Sequence, residues 1–415
     1  MSEAFANSSS PERTGPPGVK AFRTQQGGKD IVLINMGPSH PSTHGVLRLV
    51  LELDGEMVEK CTADLGYLHR GFEKIAENKT WQQFITWTDR MDYLAPISNN
   101  IAYIMAVEKL LDIHVPPRCA ALRVVLCEMA RISAHYVCIG TGALDIGAAT
   151  VFFYTFQQRE LLYDLYERLT GARFTTSAVR IGGMTRDIPE GWLDAAREWA
   201  KRTRLVVDEC DKLLTRNRIW MERTQGVGIL TKEEALSYAA TGPVIRGSGC
   251  EWDLRRAEPY LGYEQYDFEI PYDTEGDVYS RYLVRMEEMR QSCRIIEQAA
   301  SRVPAGPMNA DAPKVVLPSK QKVLTSMEDL IHHFIILTEG VRPPQGEVYH
   351  AIEAPKGELG FYVVSDGGPA AYRCRIRPAA FVNLQTIEKI AVGRYVADAV
   401  AIIGSLDPVM GEVDR

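Results

Sequence analysis

The 415-residue chain has eight cysteines, at positions 61, 119, 127, 138, 210, 250, 293 and 374, and no two stand three apart. Without a Cys-x-x-Cys pair it lacks the usual thiolate frame for zinc or an iron–sulfur cluster. A chain this long needs no disulfide staples, so the cysteines are expected to be reduced, buried fillers in a cytoplasmic protein. Long apolar runs are also missing. The most apolar stretches, 151–156 and 397–404, fall far short of the roughly 18 residues that span a bilayer. If the protein works at a membrane, other chains must hold it there. Residues 1–28, rich in Ser, Pro, Gly and Lys, lack the apolar core of a signal peptide and read as a flexible tail. Positive charge is in deficit: 47 Lys and Arg face 54 Asp and Glu, a net charge of -7. That balance argues against a nucleic-acid partner, which requires a basic patch.

What is present is a substantial core. The chain is 46% hydrophobic, enough for one large domain or two to three smaller ones. Strands are expected at 31–36, 46–53 and 56–64, forming a small β-rich unit over 29–70. From 71 to 304 the spacing turns helical, with helices expected at 98–112, 118–139, 148–169, 191–221 and 278–303. Gly140 is expected to stop the second of these. The proline-rich segment 305–319 reads as a linker. A mixed region then runs to 415, with a helix at 326–338, strands at 347–351, 360–364 and 372–377, and a last helix at 383–403. The fold class is α+β: a bundle of long helices with a small N-terminal β unit and a mixed C-terminal part.

The least typical segment is Gly37-Pro38-Ser39-His40-Pro41-Ser42-Thr43-His44-Gly45. Pro and Gly there favour a turn over a helix. There is no glutamate to complete a zinc-protease motif. One reading is a rigid turn with solvated histidines. The other is a mobile loop that presents an imidazole, a group that exchanges its proton near neutral pH, to a ligand. Arg70, in Leu65–Lys74, either belongs to a solvated helix start or faces an anionic cofactor. Tyr93, in Thr88–Tyr93, is either a half-buried core residue or a proton donor. Asp145 lies just past a predicted long helix, where a surface or capping role is ordinary.

Taken together, these segments resemble a known family. Residues 37–45, 66–74 and 90–93, Arg180-Ile181-Gly182-Gly183, 223–228, Ser365-Asp366-Gly367-Gly368 and 405–415 are similar, in order, to the 49-kDa-type D subunits of NADH:quinone oxidoreductase, the respiratory complex I. The resemblance covers about residues 29–415. It implies the fold of nickel–iron hydrogenase large subunits, whose two Cys-x-x-Cys pairs are missing here: the matching regions read His69-Arg70-Gly71-Phe72 and Asp407–Arg415. It therefore implies a scaffold without a metal site, whose cavity takes quinone.

The resemblance further implies that His44 and Tyr93 hydrogen-bond the quinone headgroup and that Asp145 pairs with His44. Arg70 would lie near a 4Fe-4S cluster carried by the adjacent B subunit. The C subunit and the membrane-arm H subunit are the other implied partners, with FMN and NADH in remote subunits and no cofactor bound by this chain alone. The implied location is peripheral, on the cytoplasmic side of the cell inner membrane, within a proton-translocating enzyme. One departure stands out. Many relatives carry a histidine before the Arg-x-Gly-Gly motif, where this chain has Thr175, which cannot carry a proton-linked charge. Three other readings compete: a catalytically silent scaffold, a relative fed by ferredoxin or reduced deazaflavin, and a true hydrogenase. The missing thiolates disfavour the last.

Overall fold

A computed structural model describes residues 22–26 and 29–415. Four antiparallel strands come first: β1 (Phe22–Gln26), β2 (Lys29–Met36), β3 (Arg48–Asp54) and β4 (Met57–Asp64), in the order β1-β2-β3-β4. Most of the expected tail lies outside the described residues. Within it, β1 adds to the free edge of β2, with Phe22 opposite Leu33. Along β3, Leu49, Leu51 and Leu53 are buried and the residues between them are half-exposed. This is the period-2 pattern of a strand with one face on a core. That core is shared: Leu49, Leu51 and Val58 belong to one cluster with Leu384, Ile387, Ile402 and Met410 from the far end of the chain.

The helical middle runs through α1 (Phe72–Ala76), α2 (Trp81–Thr88), α3 (Pro96–Leu111), α4 (Pro117–Asp145) and α5 (Ala149–Thr170). A two-residue hairpin follows, β5 (Val179–Arg180) and β6 (Gly183–Met184), then α6 (Trp192–Leu214), α7 (Arg218–Thr224), α8 (Lys232–Ser237), α9 (Pro243–Arg246), α10 (Leu254–Ala257) and α11 (Val278–Ser301). Helix α4 is the axis, packed against α5 and α11. The expected stop at Gly140 is corrected, because α4 runs on to Asp145. A Cβ at Gly140 would meet Thr155 Oγ1 of α5 at 2.5 Å. The glycine therefore permits a close helix–helix approach and does not end the helix. Asp145, expected past the helix, is its last residue. The expected helix at 191–221 divides into α6 and α7, the latter capped by Asn217, whose side chain accepts from the Trp220 amide at 3.1 Å.

The segment 305–319 holds no helix or strand. After it come α12 (Lys320–Thr325) and α13 (Met327–Thr338), a three-stranded sheet of β7 (Gly346–Ala354), β8 (Gly357–Ser365) and β9 (Arg373–Arg377), then α14 (Ala379–Gln385), α15 (Ile387–Ile390), α16 (Val396–Leu406) and α17 (Met410–Asp414). The single helix expected at 383–403 is corrected to three pieces. Between α15 and α16 the backbone leaves the helix to bond β4: Gly393 donates to the Val58 carbonyl and Val58 to the Arg394 carbonyl, each at 2.8 Å. Gly393 makes that turn at φ 74°.

Candidate functional site

The histidine segment folds as a hydrogen-bonded turn around a short 3-10 helix, Pro41–Thr43. Thr43 is fully buried, and its hydroxyl donates toward the carbonyls of His40 (2.9 Å) and Pro38 (3.2 Å). A Cβ at Gly37 would lie 2.1 Å from the Leu47 carbonyl, so only glycine closes the loop. His40 Nδ1 accepts from the Ser42 amide at 3.2 Å, which makes His40 a cap. His44 follows in the left-handed region, φ 54°, with its side chain exposed. The turn is built tightly and leaves the His44 side chain exposed. Asp145, exposed at the end of α4, lies within electrostatic reach of His44 and His40. Burial of its carboxyl raises its pKa, and the two imidazoles oppose that rise.

Tyr93 sits in a different electrostatic set. It is half-buried, and burial, followed by the charge of Asp92, raises its pKa; Lys356 and Arg70 act against the rise and Asp407 adds to it. The phenol is therefore a donor at neutral pH. Behind it lies a cluster that sequence reasoning missed. Lys356 occupies the tip of the β7–β8 hairpin, where a lysine is ordinarily solvated, yet it is buried. Its ammonium lies 3.0 Å from Asp92 and 3.6 Å from Asp407. Those carboxylates raise its pKa against the effect of burial. Glu412, also buried, accepts from the Ala379 amide at 2.8 Å. Burial, with the nearby Asp92, pushes its carboxyl up to about 8. Three carboxyls thus face one ammonium, and a low-dielectric site holds such an excess by keeping a proton.

The C-terminal residues close this site. Asp414 accepts from the amides of Gly66 (3.0 Å) and Leu68 (2.7 Å). Arg70 is exposed, stacks on Phe72 at 4.6 Å and donates to the Arg90 carbonyl. Burial and the neighbouring Arg90 lower its pKa. Two cations therefore share one surface beside Tyr93. Close by, Ser177 bonds Asp89, a buried carboxyl pushed up to about 6 mainly by desolvation. Thr175 is exposed.

The structure thus brings His44 together with Asp145, and Tyr93 with Arg70. The charges acting on Asp145 and those acting on Tyr93 do not overlap. Helix α16 joins the two sets, because it packs on the histidine turn and leads directly into Asp407. A cavity of about 840 Å³ lies elsewhere, lined by Glu108, His114, Tyr266 and His350, and one of about 430 Å³ adjoins the C-terminal closure, lined by Gly66, His69, Glu73, Asp414 and Arg415. Among the described residues no helix is long and apolar enough to cross a membrane.

Comparison with known proteins defines the class first. Residues 145–415 match the family model described as "Respiratory-chain NADH dehydrogenase, 49 Kd subunit", so this is one component of an oxidoreductase complex and not a whole enzyme. The chain is 56% identical over 384 residues to the D subunit of the NADH-quinone oxidoreductase of Methylacidiphilum infernorum, covering 92% of each chain. It is 54% identical over 386 residues to the protein of the same name from Geotalea uraniireducens, covering 93% of this chain and 99% of the relative. It is also 54% identical over 414 residues to a D subunit of the NADH-quinone oxidoreductase of Opitutus terrae, covering 99% and 96%. The chain belongs to the family of NADH-quinone oxidoreductase D subunits.

Proposed function

We propose that this chain forms the quinone-reduction site of its complex, together with a cluster-bearing B subunit. The observation that carries this reading is the placement of a half-buried, protonated Tyr93 beside Lys356 and Arg70, with α16 linking it to the His44–Asp145 turn. Reducing a quinone by two electrons creates basic oxygens that need two protons. Tyr93 donates one hydrogen bond to the headgroup and His44 the other. Asp145 pairs with the imidazole by charge and orients it toward the headgroup. Electrons enter from the 4Fe-4S cluster of the neighbouring subunit. Arg70, exposed beside Arg90, stabilises added negative charge at that boundary.

In this reading the scaffold is that of the nickel–iron hydrogenase large subunits with the metal thiolates gone, and FMN and NADH bind in remote subunits. The B, C and H subunits cover the chain's outer faces and hold it at the cytoplasmic side of the inner membrane, where the complex moves protons. An exposed apolar face supports covering partners: Leu324, Met327, Phe334 and Leu337 on α12 and α13 are between 60% and 75% exposed.

Tyr93→Phe in the purified complex tests the site by quinone titration. Turnover is expected to fall about 10²-fold; unchanged affinity and turnover would overturn the reading. With Thr175 in place of the histidine that the family resemblance implies for many members, the adjacent cluster's potential is expected to be nearly independent of pH and low, which suits a low-potential quinone such as menaquinone. Redox titration at several pH values checks this, and a steep slope would refute it.

A further inference from the structure

Among the described residues, five arginines are in the set of largest fully buried side chains, and four of them have carboxylate partners. Arg123 pairs with Glu108 at 2.7 Å, Arg131 with Glu128 at 3.2 Å, Arg246 with Glu288 at 2.6 Å and Arg255 with Asp253 at 2.7 Å. The fifth, Arg281, makes no ion pair with a described residue, and neither does Arg285 one turn later on α11, which is 3% exposed. Their bonds go to neutral oxygens instead. Arg281 donates to Ser405 Oγ and to the carbonyls of Gly276 and Gly228, each at 3.0 Å. Arg285 donates to the carbonyls of Ser405 (2.6 Å) and Arg281 (3.3 Å). Its Nε–H has no partner among the described residues.

The nearest acid acting on Arg281 is Asp277, which is already committed to the amides of Ser280 (2.7 Å) and Gly226 (2.8 Å). Burial and the adjacent Arg285 push the Arg281 guanidinium down to about 9. A guanidinium does not discharge in a protein. Two buried cations side by side therefore leave an uncompensated charge, of the kind that destabilises a fold unless an anion meets it.

Arg285 lines a cavity of about 30 Å³ whose other walls include Cys138, Ile139, Trp220 and Tyr282. Gly142 and Ile146, at the end of α4, are half-exposed and form its rim. That volume holds about two water-sized groups. Two oxygens on one carbon fill it, and a carboxylate also matches the edge of a guanidinium. The apolar walls exclude water and strengthen the pairing.

We propose that this cavity is a binding site for a single carboxylate, which neutralises the Arg281–Arg285 pair. The carboxylate comes either from an acidic side chain of a neighbouring subunit or from a small free acid anion. A density map of the intact purified complex, with thermal denaturation of that complex in sodium acetate against sodium chloride at equal ionic strength, tests the site and separates its sources. A neighbour's Asp or Glu within about 3.5 Å of Arg285, with no acetate effect, supports the proposal with a neighbouring protein as source. In that case Arg285→Met weakens the hold on this chain at least tenfold, and Arg285→Lys restores part of it. A saturable rise in melting temperature with acetate, absent in Arg285→Met, supports it with a free anion as source. A wild-type map holding only water in the cavity, together with no acetate effect, overturns it and leaves both arginines as carbonyl staples. The wild-type map decides even if Arg285→Met fails to fold.

Discussion

Two buried charge clusters in this protein are built in opposite ways. Around α4 and α11, Arg131, Arg246 and Arg255 interleave with Glu128, Asp253, Glu288 and Glu353, and nearly every oxygen and nitrogen is bonded. Tyr263 and Ser292 close Glu128 at 2.7 and 2.6 Å, and His135 bonds Glu288 at 2.7 Å. The arginines hold the Glu288 carboxyl far below its usual range, and burial lowers the His135 pKa. The second cluster sets the single base Lys356 against Asp92, Asp407 and Glu412 next to Tyr93, three acids to one base where the first has four to three. The saturated network locks helices together. The unsaturated one pushes the buried Glu412 carboxyl up to about 8.

The largest expected effect tests the saturated network. Arg246→Met strands Glu288 and Glu353, and chemical denaturation is expected to show a loss of about 3–5 kcal/mol. A loss below ~1 kcal/mol would mean that the network is not structural.

Lys356→Met is expected to cost less, roughly 1–3 kcal/mol at pH 6, because a surplus carboxyl can take up a proton in place of the lost ammonium. The cost should grow by pH 8. Equal cost at both pH values would erase the contrast between the clusters.

Glu412→Gln sharpens the comparison further. Glu412 ordinarily ionises near 4.5 but near 8 in the folded chain. Between those values the folded state binds the extra proton. This contribution to stability is full below 4.5 and is lost as pH rises through 8. Unfolding free energies measured from pH 5 to 9 are expected to fall less steeply in the variant, by up to about 1.4 kcal/mol per pH unit. Parallel curves would show that Glu412 is already ionised.

The smallest change is expected from His135→Gln. It removes one bond to Glu288 and leaves Arg246 in place, so it should cost about 1–2 kcal/mol. It should also leave the pH dependence of quinone turnover unchanged, which steady-state profiles would check.

Much of the fold was legible because its signals are local. The alternating leucines of β3 and the apolar spacing of α3, α5 and α11 state their elements within a few turns of chain. The errors fell where a distant contact overrode the local signal. Gly140 reads as a stop but serves a crossing with α5, and the 383–403 pattern breaks because β4 captures the backbone at Gly393. At the candidate site, His44, Tyr93, Asp145 and Arg70 were named through family resemblance. Their division into two sets was not, because it depends on how α4, α16 and the hairpin converge.

The sequence by itself determined the α+β class, the turn-forming character of residues 37–45, the family and the absence of a Cys-x-x-Cys frame. Tertiary structure alone decided which charges are buried and whether they are matched. Lys356 sits in a hairpin turn, where a lysine is ordinarily solvated, and Arg281 and Arg285 lie one turn apart on α11. Their burial is set by residues more than a hundred positions away, Asp92 for one and Ser405 for the others. No local pattern carries that information, because the cost of a buried charge depends on its surroundings and not on its neighbours in sequence.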